Sequence, residues 1–344
     1  MSTGVLVLDL QGTELTTRES RLLQLSSVAG VILFSRNFHN RKQLSTLISA
    51  IRGCSPHLLI MADQEGGRVQ RFRGDGFSAV PSMGAIGSYF QAQPDKALTL
   101  AKEVGWLLAA ELLATGVDLG LSPVLDLDRG ISRVIGDRGF SGDSHTVSTL
   151  AHAFIAGQRE AGMASVGKHF PGHGGTALDS HTEMPVDRRD MSAIDEDLAP
   201  YRALAADSLD AVMTAHVTFP ASAPEPAVYS SYWQRTVLRE QLGFQGAILS
   251  DCLSMAGART GGVVSERAVK ALQAGSDIAL ICNDSAGAEQ AAEALLGYPH
   301  DGSAHKKRLE KLRGKRADSW DQLELTEKRK RVLHRLGSEI KVGG

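Results

Sequence analysis

Short apolar runs recur along the chain at Gly4–Leu10, Gly30–Phe34, His57–Ala62, Val117–Leu127, Ala164–His169, Ala211–Val217, Gly246–Ser250 and Asp277–Cys282. Each is nearly continuous in apolar residues, the pattern of a strand buried on both faces. Between them lie stretches with helical patterning: Thr17–Ser27, Arg41–Arg52, Lys96–Thr115, Thr146–Ala161, Ile194–Ala206, Tyr232–Leu242, Ser265–Ala274 and Ala286–Leu296. Gly116, Gly162, Gly243 and Gly275 stand just past four of these, where a left-handed cap favours glycine.

Strands alternating with helices predict a parallel sheet, and eight is the number that closes a (β/α)₈ barrel of the TIM type. An open doubly wound sheet is the rival. It favours a Gly-x-Gly-x-x-Gly turn after the first strand, and here that turn reads Leu10-Gln11-Gly12-Thr13-Glu14. The expected architecture is therefore a single catalytic barrel over residues 1–300. Residues 301–344 then form a basic, helical C-terminal extension packed on or flanking it.

Barrel chemistry sits at the C-terminal ends of the strands, and six of these eight ends are polar. The third run leads into Asp63-Gln64-Glu65-Gly66-Gly67-Arg68, and the fourth ends in Asp126-Leu127-Asp128. The fifth ends in Lys168-His169, the sixth carries His216 at its end, the seventh leads to Asp251 and the eighth to Asn283-Asp284. Any one of these is explained equally well as a helix cap or a loop anchor. Convergence of six on one mouth is not, because buried polar groups need partners and crowded like charges repel.

The fifth strand runs into Lys168-His169-Phe170-Pro171-Gly172-His173-Gly174-Gly175-Thr176-Ala177-Leu178-Asp179-Ser180-His181. Pro171 and the glycines break any helix, so this is a long functional loop. Two chemistries compete for it. His169 and His173 have the i, i+4 spacing of two metal ligands on one helix face, but no helix fits here and Lys168 is a poor neighbour for a cation. The favoured reading is an Asp179–His181 dyad, in which the carboxylate fixes the imidazole and the imidazole shuttles a proton. In Ser250-Asp251-Cys252-Leu253-Ser254-Met255, a carboxylate ending an apolar strand is a candidate nucleophile or base, with a helix cap as the plain structural reading. Cys252 reads more readily as a buried small hydrophobe than as a thiolate.

Composition adds exclusions. The 344 residues are 42% hydrophobic and 22% charged with a formal net charge of −2. This is ordinary globular composition, with no signature of a nucleic-acid or membrane partner. Residues 301–344 carry 13 Lys+Arg against 7 Asp+Glu, more in keeping with a solvated helix than with a binding tail. Cys54, Cys252 and Cys282 do not make a disulfide framework or a zinc site. Met1–Leu10 has no basic stretch and its apolar run breaks at Asp9, so no signal peptide and a cytoplasmic location are expected.

These motifs resemble glycoside hydrolase family 3, of the bacterial β-N-acetylhexosaminidase type, over roughly residues 4–300. The most specific element is Lys-His-Phe-Pro-Gly-His-Gly at 168–174 followed by Asp179-Ser180-His181. Asp63 through Phe72, Leu121 through Asp126, Ile135 through Arg138, and Ser250-Asp251 with Met255 support it. The resemblance implies Asp251 as nucleophile, His181 as general acid/base and Asp179 as its orienting partner. It implies Asp63, Arg71, Arg138, Lys168 and His169 as contacts to the sugar, with no cofactor and no metal.

The function so implied is retaining removal of N-acetylglucosamine from peptidoglycan-derived muropeptides by a monomer in cell-wall recycling. A β-glucosidase or a phosphorylase on the same scaffold is the alternative. A phosphate-binding isomerase barrel and a catalytically dead binding protein are weaker readings. Two departures stand out. Cys252 replaces a second Asp found after the nucleophile in many relatives. Gly139 follows Arg138 where Ser or Ala is common, which is expected to loosen that loop.

Overall fold

The computed structural model describes residues 4–180, 183–315 and 318–339. Its main sheet has eight parallel strands: β1 (Leu6–Asp9), β2 (Val28–Leu33), β3 (Leu59–Ala62), β4 (Leu119–Gly120), β5 (Val166–Phe170), β6 (Ala211–Thr214), β7 (Ala247–Cys252) and β8 (Ile278–Ile281). Their order is β4-β3-β2-β1-β8-β7-β6-β5. The two ends meet through an irregular continuation of β4. Val124 bridges Lys168 in parallel, Leu125 N–H donates to the Lys168 carbonyl at 2.7 Å, and Val166 N–H donates to that of Ser122 at 2.9 Å. The sheet is thus a closed (β/α)₈ barrel.

The helices are α1 (Thr17–Leu22), α2 (Arg41–Cys54), α3 (Met83–Ala92), α4 (Pro94–Thr115), α5 (Ser144–Ala161), α6 (Met191–Leu204), α7 (Val264–Ala274) and α8 (Ser285–Ala294). Between β6 and β7 lies Tyr232–Gln241, an expected α-helix that is instead wound as a π-helix, with Leu242 N–H reaching the Val237 carbonyl. Gly116 and Gly162 cap α4 and α5 in the left-handed conformation, as the sequence requires.

The strand pattern sorts by parity. Leu6, Leu8, Ile60, Ala279 and Ile281 pack outward against α1, α2, α7 and α8 in one cluster. Val7, Met61, Leu119, Val166, Met213, Leu249 and Leu280 form the cluster inside the barrel. The helices α4, α5 and α6 cover Val212 and Ile248 in a third cluster, which holds Phe154, Tyr201 and Trp233. Each fully buried side chain of this size contributes about 1.5–3 kcal/mol.

The two-residue period matters most at the strand ends. Two residues beyond Met61, Val166, Leu249 and Leu280 come Asp63, Lys168, Asp251 and Cys282, all of which line the barrel mouth.

After β8 the chain continues as α9 (Ser303–Lys311), α10 (Trp320–Leu325) and α11 (Glu327–Glu339). Much of the basic charge here is paired. Arg329 donates to Glu111 at 2.9 Å, Arg308 Nε donates to Asp277 at 2.9 Å, and Arg335 forms an ion pair with Glu103 at 2.7 Å. Trp320 packs edge-on to Phe77, with ring centroids 4.9 Å apart. Among the described residues no helix is long and apolar enough to cross a membrane.

Candidate active site

A cavity of about 730 Å³ opens at the C-terminal mouth of the barrel. Ile32, Leu121, Met213 and Leu280, from the cluster inside the barrel, line its floor. Asp63, Arg71, Arg138, Lys168, His169, Asp179 and Asp251 all line it. The structure therefore brings together seven of the eight residues singled out by sequence. His181, the eighth, lies outside the described residues.

On one side of the cavity charges alternate along a chain of contacts. Arg71 Nη2 donates to Asp63 Oδ2 at 2.8 Å, and Lys168 Nζ donates to Asp63 Oδ1 at 2.8 Å. Lys168 Nζ also lies 2.7 Å from Glu65 Oε1, and Arg138 donates to Glu65 in bidentate fashion, from Nε at 2.9 Å and Nη2 at 2.8 Å. Lys168 and Glu65 are each 2% exposed at the side chain, so water does little to screen them.

Burial alone would raise both carboxyl pKa values, but the cations outweigh it. Lys168 and Arg71 hold Asp63 well below the usual carboxylate range, and Arg138 with Lys168 brings Glu65 down to about 2. Lys168 in turn is raised: burial disfavours its charge, but Asp63 and Glu65 favour it more.

The pH dependence of stability follows from the sign of these shifts. Folded-state values below the unfolded ones add stability that is fully present above the unfolded carboxylate pKa near 4. It is lost as pH falls toward the folded values, so the urea midpoint is expected to drop between about pH 5 and 2. Glu65→Gln should flatten that acid slope relative to wild type. An equal slope in both proteins would contradict the assignment.

A second set of contacts shapes the loop after β5. Asp126 is the hub. Its Oδ2 accepts the backbone N–H of His169 at 3.1 Å and meets His169 Nδ1 at 2.7 Å, while its Oδ1 accepts the N–H of His173 at 2.7 Å. Burial raises the Asp126 pKa, but the charge of His169 leads the effects that bring it below normal. His173 Nε2 pairs with Ser180 Oγ at 3.0 Å, and the Ser180 carbonyl accepts Gly257 N–H at 2.9 Å. Burial keeps the His173 pKa low.

Gly174 presses this loop onto the continuation of β4, where an added Cβ would lie 1.9 Å from the Leu127 carbonyl oxygen. The far end is anchored by Arg189, which contacts Asp187 at 2.6 Å and Asp197 at 2.5 Å. Hence the i, i+4 spacing of His169 and His173 is not helical. Their rings stand at 74° to one another on separate hydrogen bonds. Among the described residues no group of three His, Cys, Asp or Glu side chains is set to hold a metal ion.

Arg138 is placed by a one-turn helix, Gly136–Arg138, lying against α3. Gly139 does not loosen this segment: an added Cβ would lie 2.6 Å from the Asp126 carbonyl oxygen, so the chain passes tightly over β4 there. Asp251 stands at the end of β7, its Oδ1 accepting the N–H of Cys252 at 2.7 Å. Cys252 is not the buried hydrophobe expected from sequence. It is partly exposed, lines the cavity and contacts Ser254 Oγ at 3.0 Å. Sequence reading gave no catalytic or sugar-binding role to Glu65, Asp126 or His173, the last being weighed only as a metal ligand beside His169. Glu65 and Asp126 were each visible as an acid at or just beyond an apolar strand, but their partners lie 73 and 43 residues away.

A closed (β/α)₈ barrel whose C-terminal mouth is lined by carboxylates, cations and histidines has the architecture of a barrel enzyme with its site at that mouth. The model of the glycosyl hydrolase family 3 N-terminal domain matches residues 5–311, and the chain belongs to that family, as a glycoside hydrolase. A β-hexosaminidase of Alkalilimnicola ehrlichii is 47% identical over 340 residues, covering 98% of this chain and 93% of the relative. Native NagZ from Neisseria gonorrhoeae superposes with a TM-score of 0.90 at 36% identity, covering 97% of this chain and 96% of that one. The same enzyme in complex with N-trifluoroacetyl-D-glucosamine matches with a TM-score of 0.90 at 37% identity and equal coverage.

Proposed function

We propose that this hydrolase releases terminal β-linked N-acetylglucosamine with retention of configuration, through a covalent intermediate on Asp251. The observation that carries the reading is the position of Asp251. Its carboxylate ends an inward-facing strand register and shares one cavity with Asp179 and the Asp63–Lys168 pair. The N-acetylglucosamine analogue bound by the Neisseria enzyme supports the choice of sugar.

In the first step Asp251 attacks the anomeric carbon while His181, as imidazolium, protonates the departing oxygen. In the second, neutral His181 takes a proton from water, which displaces Asp251. Asp179 orients His181 and steadies its charge. The anchoring of Asp251 Oδ1 by Cys252 N–H limits rotation of the carboxylate before attack. Asp63, Arg71, Arg138, Lys168 and His169 supply charged donors and acceptors to the sugar hydroxyls and acetamide.

The physiological substrate in this reading is N-acetylglucosaminyl-anhydromuramyl peptide, handled by a monomer in cytoplasmic peptidoglycan recycling. The division of the chain into a catalytic barrel to about residue 300 and an appended extension belongs to the same reading.

The test compares p-nitrophenyl N-acetyl-β-D-glucosaminide with the β-D-glucoside, each with and without phosphate. Nitrophenol release from the first substrate alone, unchanged by phosphate, is the expected result. Preference for the glucoside, or formation of sugar 1-phosphate, would replace this reading with a glucosidase or a phosphorylase.

A further inference from the structure

The Cys252 thiol and the Ser254 hydroxyl meet the backbone carbonyl of Cys282 where β7 and β8 open into the cavity. Cys252 Sγ contacts Ser254 Oγ at 3.0 Å and lies 3.7 Å from the Cys282 carbonyl oxygen, which Ser254 Oγ also contacts. The two strands are neighbours, with Leu280 in register with Cys252. Both cysteines line the cavity, and both are free thiols. The proposed catalytic reading uses the backbone N–H of Cys252 but neither thiol.

We infer that Cys252 and Cys282 form a redox-sensitive modification site, in which a hydroperoxide oxidises Cys252 and Cys282 then closes a disulfide that stops turnover. The inactivation rests on the reading of Asp251 as nucleophile; the cross-link does not.

The two thiols are unlike, as such a pair needs. The Cys282 thiol and Ser254 hold the Cys252 pKa below the ordinary thiol range against the effect of burial. Cys282 is pushed well above that range by its hydrogen bond to Cys252 and by burial. Cys252 is also the more exposed of the two, so it is the one that peroxide meets as thiolate.

In the first step the Cys252 thiolate attacks the peroxide O–O bond, giving a sulfenic acid and hydroxide. In the second, the Cys282 sulfur displaces the sulfenic hydroxyl. The S–S bond forms, and the leaving hydroxide carries off the Cys282 proton as water. Two electrons pass from the thiols to the peroxide. The strain falls on Asp251, because its Oδ1 is hydrogen-bonded to the backbone N–H of Cys252.

The experiment uses the full chain carrying Cys54→Ser, which removes the third thiol, on α2 and outside the cavity. Hydrogen peroxide should lower activity about tenfold or more, since small displacements of a reacting group are costly. Intact mass should fall by about 2 Da, with one cross-linked Cys252–Cys282 peptide, and dithiothreitol should reverse both changes. With Cys282→Ser added, dimedone should instead label Cys252.

Full thiol titre after peroxide, or oxidation at Cys252 without a cross-link to Cys282, would overturn the proposal. A cross-link with unchanged turnover would overturn the inactivation alone, and would count against Asp251 as the reacting group.

Discussion

Asp251→Ala is expected to lower kcat toward an aryl N-acetyl-β-glucosaminide by about 10⁴-fold or more, because in the proposed mechanism Asp251 forms the glycosyl-enzyme. Asp251 is at the cavity end of β7, beyond the residues that knit β7 to β6, so the fold should survive its loss. An unchanged melting temperature beside collapsed activity is therefore part of the expectation. Sodium azide supplies a further readout. It can enter from the face vacated by the carboxylate and attack once, giving an α-glycosyl azide of inverted configuration from an activated substrate. Wild-type activity in Asp251→Ala, or azide rescue with the β-configuration, would remove Asp251 from the nucleophile's role.

Lys168→Met is expected to cost about 3–5 kcal/mol of stability, the penalty for removing one partner from a buried ionic group. Lys168 sits between Asp63 and Glu65, at 2.8 and 2.7 Å, with its side chain 2% exposed. Its loss leaves two carboxylates facing each other. Arg71 and Arg138 still hold their outer flanks, but nothing neutralises the space between. The denaturant midpoint measured at pH 7 should fall and should recover partly near pH 4–5, where one carboxyl takes up a proton. A midpoint within about 0.5 kcal/mol of wild type would mean that the charge chain is not a structural unit. If Lys168 also binds the sugar, KM should rise in the same variant.

The barrel was legible because its strands are buried on both faces, which writes eight apolar runs with little ambiguity. The strand-end chemistry was legible for a related reason. Period two carries an inward apolar register directly into Asp63, Lys168 and Asp251, so the acid or base that breaks each run is the one that faces the cavity.

What stayed hidden depends on pairing across long separations. Glu65 looked like one acid among several until Arg138 and Lys168 closed on it, and Asp126 until the loop after β5 folded around it. The fourth strand was read as Val117–Leu127, but only Leu119–Gly120 is regular; the rest bends to close the barrel on β5. The short hairpin of Gln64–Gly66 with Val69–Gln70 and the helix α3 were missed as well. Both lie in the Gly- and Ser-rich connection between β3 and α4, where local propensity is weak and tertiary packing decides.

The most direct test of the central claim is to trap the covalent intermediate. An N-acetylglucosaminyl donor bearing a 5-fluoro substituent and a good leaving group slows hydrolysis of the glycosyl-enzyme more than it slows its formation. Peptide mass spectrometry of the quenched protein should then find one sugar, esterified to Asp251. Steady turnover of the donor with no adduct, or an adduct on any other residue, would contradict the account.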